Sequence, residues 1–223
     1  MQDISKLSLC FDLDGTLVDT APDLIRVLNE VIAKDGLAET HYPSARQAIG
    51  FGSRRLIEDA FLRANRRVSP ERVNVLQKEF LELYAKTSAQ LSRPFDGVLD
   101  TLSLLKRQGA DLSVCTNKPG YLARPLLQNL GMTSLFTRIV GGDDLPRNKP
   151  HADHIFASAG HRMNKRIVMV GDGAPDSLAA KAAHVPCVLM AYGYSTVPFE
   201  HLGADVILRR FRDLPSALRD LQS

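Results

Sequence analysis

Apolar positions along this 223-residue chain follow two rhythms. From Leu7 to Phe11, and in short runs after position 95, they are nearly contiguous, the pattern of strands buried on both faces. Between about positions 20 and 86 they recur every three or four residues. Leu24, Ile25, Leu28, Val31 and Ile32 form one such set; Leu56, Ile57, Ala60 and Phe61 a second; Val73, Leu76, Phe80 and Leu83 a third. Each set marks one face of a helix. Pro22 suits a first helical position, Gly36 ends the first helix, Ser53 is placed to cap the second, and Ser69-Pro70-Glu71 opens the third.

From Phe95 the rhythms alternate. A helix is predicted from about Asp96 to Arg107 and a strand from Ala110 to Cys115. Further strands are predicted at Arg138 to Val140, Ile167 to Val170, Pro186 to Met190 and Asp205 to Ile207, with a last helix from Asp213 to Leu221. Strands alternating with helices imply parallel βαβ units. The expected fold class is α/β: a Rossmann-like parallel sheet core, residues 1–17 and 95–223, with an inserted all-helical domain at 18–94.

Composition narrows the function classes. Hydrophobic residues make up 44% and charged residues 24%, as in an ordinary globular protein. The net charge of +3, from 28 basic and 25 acidic residues, does not imply a nucleic-acid partner. The densest basic cluster, Arg63, Arg66 and Arg67, lacks interleaved aromatics and reads as a solvated helix end. Cys10, Cys115 and Cys187 lie in apolar runs without CxxC spacing and read as reduced core thiols. No apolar run approaches membrane-spanning length and no secretory leader pattern opens the chain, so a cytoplasmic enzyme without a membrane partner is expected, as monomer or homodimer.

The chemistry concentrates at Phe11-Asp12-Leu13-Asp14-Gly15-Thr16-Leu17-Val18-Asp19-Thr20. Asp12 and Asp14 sit where an apolar strand ends, the place at which open α/β sheets put their ligands. A plain Asp-Gly turn explains Asp14-Gly15 and leaves Asp12 unexplained. An EF-hand loop does not fit, because Gly15 comes too early and Thr16 occupies the third ligand position. The stretch resembles the first motif of the haloacid dehalogenase superfamily, whose phosphatase branch carries Asp-x-Asp-Gly-Thr. The resemblance implies that Asp12 is a nucleophile and Asp14 a general acid/base, with phosphate rather than halide chemistry.

Three later segments extend the resemblance. Thr116-Asn117, after the strand ending at Cys115, matches the second motif and implies two donors to a phosphoryl oxygen. Lys149-Pro150-His151-Ala152-Asp153 matches the third, where the lysine holds the phosphoryl group. A second proline is commoner where Ala152 stands, which puts the loop's stiffness in question. His151 and His154 allow a metal reading that their placement beside proline and on the next helix disfavours. Gly171-Asp172-Gly173-Ala174-Pro175-Asp176 matches the fourth, with Gly173 in place of the usual Ser or Thr. It implies a Mg²⁺ site from Asp12, the backbone carbonyl of Asp14, and Asp172, with Asp176 orienting Lys149 or, on its own merits, serving as a helix N-terminal carboxylate.

The inserted helices would then be a cap that closes over the substrate, with hinges near 17–21 and 88–95. Ile49-Gly50-Phe51-Gly52-Ser53-Arg54 could meet an anionic substrate at a helix N-terminus, making Ser53 and Arg54 substrate-binding candidates, although an ordinary capped helix also explains the segment. That segment, Gly141-Gly142-Asp143-Asp144-Leu145-Pro146 and Ala191-Tyr192-Gly193-Tyr194 resemble the phosphoglycolate phosphatase branch, which implies a small phosphorylated metabolite, 2-phosphoglycolate, as substrate. Other small monoesters, pyrophosphate or a phosphosugar mutase activity are the alternatives. The mutase lacks a clear acid/base between Asp19 and Arg26, and a phosphonate hydrolase lacks a well-placed cap lysine, Lys34 lying near a helix end.

Overall fold

The computed structural model describes residues 3–160 and 164–221. The chain forms two compact units, Met1–Val18 with Pro94–Ser223, and Asp19–Arg93.

The larger unit is built on a six-stranded parallel sheet. Its strands are β1 (Leu7–Phe11), β4 (Asp111–Cys115), β5 (Arg138–Val140), β6 (Arg166–Gly171), β7 (Cys187–Met190) and β8 (Val206–Leu208), in the order β5-β4-β1-β6-β7-β8. All five residues of β1 are buried, which is why its sequence is a nearly continuous apolar run, broken only by Ser8. Phe11 is fully buried and its ring lies 6.0 Å from that of Phe211. Burial of this kind is worth roughly 1.5–3 kcal/mol per large apolar side chain.

Helices α5 (Val98–Arg107), α6 (Gly120–Asn129), α7 (Ala152–Ala159), α8 (Ala174–Ala183) and α9 (Leu214–Asp220) connect and flank the strands. Helix α8 packs through Ala179, Ala180 and Ala183, small residues in one buried cluster with Cys10, Cys115, Cys187 and Met169. The three cysteines are buried free thiols. Burial pushes the Cys10 thiol up to about 12, so it stays protonated.

The smaller unit comprises α1 (Ala21–Ile32), α2 (Tyr42–Ile49), α3 (Ser53–Arg63) and α4 (Pro70–Thr87). Short strands β2 (Val18–Asp19) and β3 (Arg93–Pro94), where the chain passes between the units, pair as a two-stranded sheet. Helix α4 starts as expected, with the Ser69 hydroxyl accepting the Arg72 N–H. Asp23 of α1 is buried and accepts from Leu91 N–H, Ser92 N–H and the Ser92 hydroxyl, which anchors the end of the unit to its beginning. Burial alone would raise this carboxyl, yet those bonds and the Arg26 guanidinium at 2.9 Å hold it below the usual carboxylate range.

Two local expectations change. Helix α2 falls within the all-helical insert but was not placed individually, because its buried residues Ala45, Ala48 and Ile49 are small or lie at its end and make little apolar contrast. Ser53 is not a cap. Gly52, at φ +88°, holds the N-cap position of α3, and Ser53 is its first residue, accepting a hydrogen bond from Gln77.

Candidate active site

Phe11 of β1 stands level with Val114 of β4 and Val170 of β6. Asp12, Thr116 and Asp172, each the first residue beyond its strand, therefore leave the sheet at nearly the same level and on the same edge. This is the carboxyl edge, where the strand order reverses around β1.

Each side chain there is held by named partners. Asp12 accepts the Leu13 N–H and the Lys149 ammonium on Oδ1, at 2.8 and 2.9 Å. Lys149 is nearly fully buried, and its Nζ also donates to Asp176 Oδ1 at 2.6 Å, so one ammonium bridges two carboxylates. Burial would discharge this lysine, but the Asp12 and Asp176 charges outweigh burial and hold the ammonium well above the ordinary lysine value. The other oxygen of Asp176 accepts the Asp172 and Gly173 N–H groups, both at 3.1 Å, at the start of α8. Asp176 is therefore both the partner of Lys149 and the N-terminal carboxylate of a helix.

Asp172 accepts the Thr16 hydroxyl on Oδ1 at 2.9 Å and the Tyr194 N–H on Oδ2 at 2.7 Å. Its setting leaves no slack. A Cβ on Gly193 would fall 2.2 Å from the Asp172 Cβ, and one on Gly15, where φ is +85°, 2.6 Å from its Oδ2. The Tyr192 hydroxyl donates to the Thr16 carbonyl at 2.6 Å, tying the loop after β7 to the loop after β1.

Asp12, Asp172 and Asp176 each present a carboxylate oxygen within 4.8 Å of the others. Among the described residues Lys149 is the cation in contact with this trio, while the bonds to Asp172 come from neutral donors. Negative charge is thus in surplus in a buried place. Burial pushes the Asp12 carboxyl up to about 6 against the pull of Lys149, and burial together with the charges of Asp12 and Asp176 raises Asp172 well above the usual range. Hard oxygen donors with uncompensated charge suit a divalent cation. Asp12, whose bonds fall on Oδ1 alone, and Asp172, whose donors are all neutral, fit that role better than Asp176, whose two oxygens serve the Lys149 ammonium and the α8 N–H groups.

The remaining expected residues divide between the units. The Asp14 side chain belongs to the larger unit but is engaged by Lys118, whose Nζ lies 3.0 and 3.2 Å from its two oxygens. Thr116 is buried and its hydroxyl oxygen accepts the Lys118 N–H, which leaves its proton for another acceptor. The Asn117 amide donates to the Lys149 carbonyl at 2.9 Å, so it fastens the neighbouring loop with one of its two N–H groups. Ser53 and Arg54 lie in the helical unit, where Arg54 donates to Asn74 at 2.7 Å and pairs with Glu58 at 3.0 Å.

Several participants were missed from sequence. Lys118 directly follows Thr116-Asn117, and a lysine three residues past a strand end was available as a signal. His154 is fully buried; its Nδ1 accepts the Lys149 N–H at 3.2 Å and its Nε2 lies 3.2 Å from the Val140 carbonyl, to which a neutral ring with hydrogen on Nε2 donates. It braces the Lys149 loop and is not a metal ligand in the carboxylate cluster. Gly141-Gly142-Asp143-Asp144 is a brace as well. Asp143 accepts the Gly120 N–H, while Asp144 accepts the Gly141 N–H and pairs with Arg124.

The family model for haloacid dehalogenase-like hydrolases matches residues 9–190. The chain is 39% identical over 220 residues to a phosphoglycolate phosphatase of Caulobacter vibrioides, covering 97% of this chain and 92% of that one. It is 41% identical over 218 residues to one of Agrobacterium fabrum, covering 96% and 93%. A crystal structure named as a predicted phosphoglycolate phosphatase from Haemophilus somnus superposes with a TM-score of 0.87 at 30% identity, covering 96% of this chain and 98% of that one. No helix among the described residues is long and apolar enough to cross a membrane.

Proposed function

The chain belongs to the haloacid dehalogenase-like hydrolase family, and from that premise we propose that it hydrolyses 2-phosphoglycolate through an aspartyl-phosphate on Asp12, with Mg²⁺ as its cation. The observation that carries the chemistry is the Asp12–Lys149–Asp176 chain of buried charge at the carboxyl edge of the sheet, with Asp14 two residues from Asp12. The choice of ester is supported by the similarity to two phosphoglycolate phosphatases over almost the whole of each chain.

In this mechanism the Asp12 Oδ1 is fixed by Leu13 and Lys149, which leaves Oδ2 to attack phosphorus in line with the leaving oxygen. A bond from Oδ2 to phosphorus forms as the ester bond breaks. Asp14 gives a proton to the departing alkoxide, then takes one from the water that attacks phosphorus and returns Asp12 to a carboxylate. Lys149 neutralises the phosphoryl oxygens, and the Thr116 hydroxyl and the second N–H of the Asn117 amide are donors to them. A Mg²⁺ ion held by the Asp12 and Asp172 carboxylates and the Asp14 backbone carbonyl would supply further charge neutralisation at those oxygens. The helical unit, through Ser53 and Arg54, is the proposed source of preference for a carboxylate-bearing ester. For Arg54 this means exchanging its bond to Asn74 for one to substrate.

The test is phosphate release from a panel of small esters, including 2-phosphoglycolate, phosphosugars, nucleotides and pyrophosphate, with Mg²⁺ or EDTA and with Asp12→Asn as the blank. A preference in kcat/KM for 2-phosphoglycolate that disappears with EDTA and with Asp12→Asn is expected. Asp12-dependent release spread over other esters would keep the chemistry and reject the substrate. Activity surviving Asp12→Asn would reject the mechanism.

A further inference from the structure

Lys118 is the cation that the proposed chemistry leaves without a task, although it touches one of its two central carboxylates. Its Nζ lies 3.0 Å from Oδ1 and 3.2 Å from Oδ2 of Asp14. Its side chain is 5% exposed, so the ammonium is not a surface charge meeting its partner from solvent. The backbone beneath it is fixed as well: the Lys118 N–H donates to the Thr116 hydroxyl at 3.1 Å, and its carbonyl accepts the Gly142 N–H at 3.0 Å. The residue ahead of α6 therefore projects a stem with little freedom at its base, and the head grips both oxygens of Asp14.

A carboxylate on a short side chain can swing about two dihedrals, and proton transfer to a leaving oxygen falls off steeply once the donor leaves hydrogen-bonding range. We propose that Lys118 is the positioning residue for Asp14: its ammonium fixes the orientation in which Asp14 delivers a proton to the leaving oxygen, and it does not itself hold the phosphoryl group, which is the task of Lys149. This rests on the acid/base role given to Asp14 above. Lys149 and Lys118 then divide the cationic work. One is bound to the attacking carboxylate and the other to the carboxylate that serves the leaving group.

The division is testable because the two tasks respond differently to the leaving group. The ratio kcat/KM reports events up to departure of the alcohol, before the aspartyl-phosphate is hydrolysed. An aryl ester such as p-nitrophenyl phosphate has a leaving group that departs without a proton, whereas 2-phosphoglycolate and a neutral alkyl ester such as ethyl phosphate need one. Lys118→Met is expected to lower kcat/KM for both alkyl esters by roughly 10- to 100-fold, part of the 10²–10⁴-fold that general acid catalysis supplies. The aryl ester should lose less than about 3-fold, which also reports that the variant is folded. Lys118→Arg, which keeps the charge with a different shape, should restore part of the alkyl activity.

Asp14→Asn, measured beside it, must show the same selectivity for alkyl esters. If it does not, the acid/base role of Asp14 is wrong and the inference falls with it. If Asp14→Asn is selective but Lys118→Met slows all three esters equally, Lys118 serves phosphoryl binding or the fold. A Lys118→Met loss confined to 2-phosphoglycolate would make Lys118 a reader of the substrate's carboxylate. Either of the last two results overturns the positioning role alone.

Discussion

The loops at the carboxyl edge of the sheet and the N-terminal part of α3 in the helical unit both present charged side chains, but they hold them in opposite ways. Lys149 is 1% exposed on its side chain and contacts two carboxylates at fixed distances; Arg54 is 42% exposed and pairs with a Glu58 that is 38% exposed. Ion pairs of the second kind contribute a few tenths of a kcal/mol and reorganise readily, whereas breaking the first leaves a buried charge uncompensated at a cost of several kcal/mol. The proposed function thus places reaction chemistry on buried, multiply bonded groups, and selection of the ester on exposed groups that can exchange one partner for another.

The strongest way to break that comparison is to remove the fixed groups. Asp12→Asn is expected to lower kcat by at least about 10³-fold, since the nucleophile itself is lost, with substrate binding reduced far less. Isothermal titration of 2-phosphoglycolate into the variant separates the two effects. A rigid site also predicts damage from additions. Gly193→Ala places a methyl group 2.2 Å from the Asp172 Cβ, and Asp172 cannot retreat without losing the bonds from Thr16 and Tyr194. An unfolding free energy lower by about 1–3 kcal/mol is expected. The stabilisation expected of the wild type in saturating Mg²⁺ if the ion binds at the proposed site, about 2.7 kcal/mol at a hundredfold excess over Kd and read as a rise in Tm, should be largely absent. Unchanged stability and an intact Mg²⁺ shift would show that the loops yield.

This contrast also explains which parts of the molecule were legible in the sequence. Asp12 and Asp172 stood out because each directly follows an apolar run that has no other way to be buried, so pattern and chemistry coincide, whereas Lys149 was singled out only by its resemblance to the third motif. The parallel sheet was legible for the same reason. The position of α2 was not, because its buried residues are two alanines, Ala45 and Ala48, and Ile49 at its last position, too little for a helical apolar period. Lys118 escaped because its partner, Asp14, lies far along the chain, and His154 because its role is a ring-nitrogen bond to the backbone of Lys149, which no pattern of residue types marks. No local pattern encodes that a given lysine or histidine points inward.

His154 supplies a smaller test of the rigid side. The His154 ring ties the Lys149 N–H to the Val140 carbonyl, beside the Asn117 amide that holds the Lys149 carbonyl. His154→Leu strands a buried N–H and is expected to cost about 1–3 kcal/mol at pH 7.5, with loss in kcat as Lys149 loosens. The cost should shrink in acid. Burial, with Lys149 nearby, lowers this imidazole from 6.5 to about 4. Between those values the unfolded chain binds a proton that the folded chain refuses. The stability that neutral His154 contributes is therefore present above pH 6.5 and is lost as pH falls toward 4. Near pH 5 the gap between wild type and His154→Leu, read by urea titration, should be narrower by about 1–2 kcal/mol.

Arg54→Ala probes the yielding side, and its expected effect on stability is the smallest. The bonds to Asn74 and Glu58 are exposed, so unfolding free energy should change by less than about 0.5 kcal/mol. Its effect on specificity is the informative quantity. If this guanidinium exchanges Asn74 for the carboxylate of 2-phosphoglycolate, kcat/KM for that ester falls by about 5- to 20-fold, in keeping with the loss of a charge-assisted hydrogen bond, and ethyl phosphate is unaffected. The ratio of the two esters then moves while the fold does not. An equal change for both esters would remove Arg54 from substrate selection and leave it as a helix ion pair. Preference for the ester would then have to come from groups at the carboxyl edge of the sheet, and the comparison between yielding and rigid charges would no longer separate selection from chemistry.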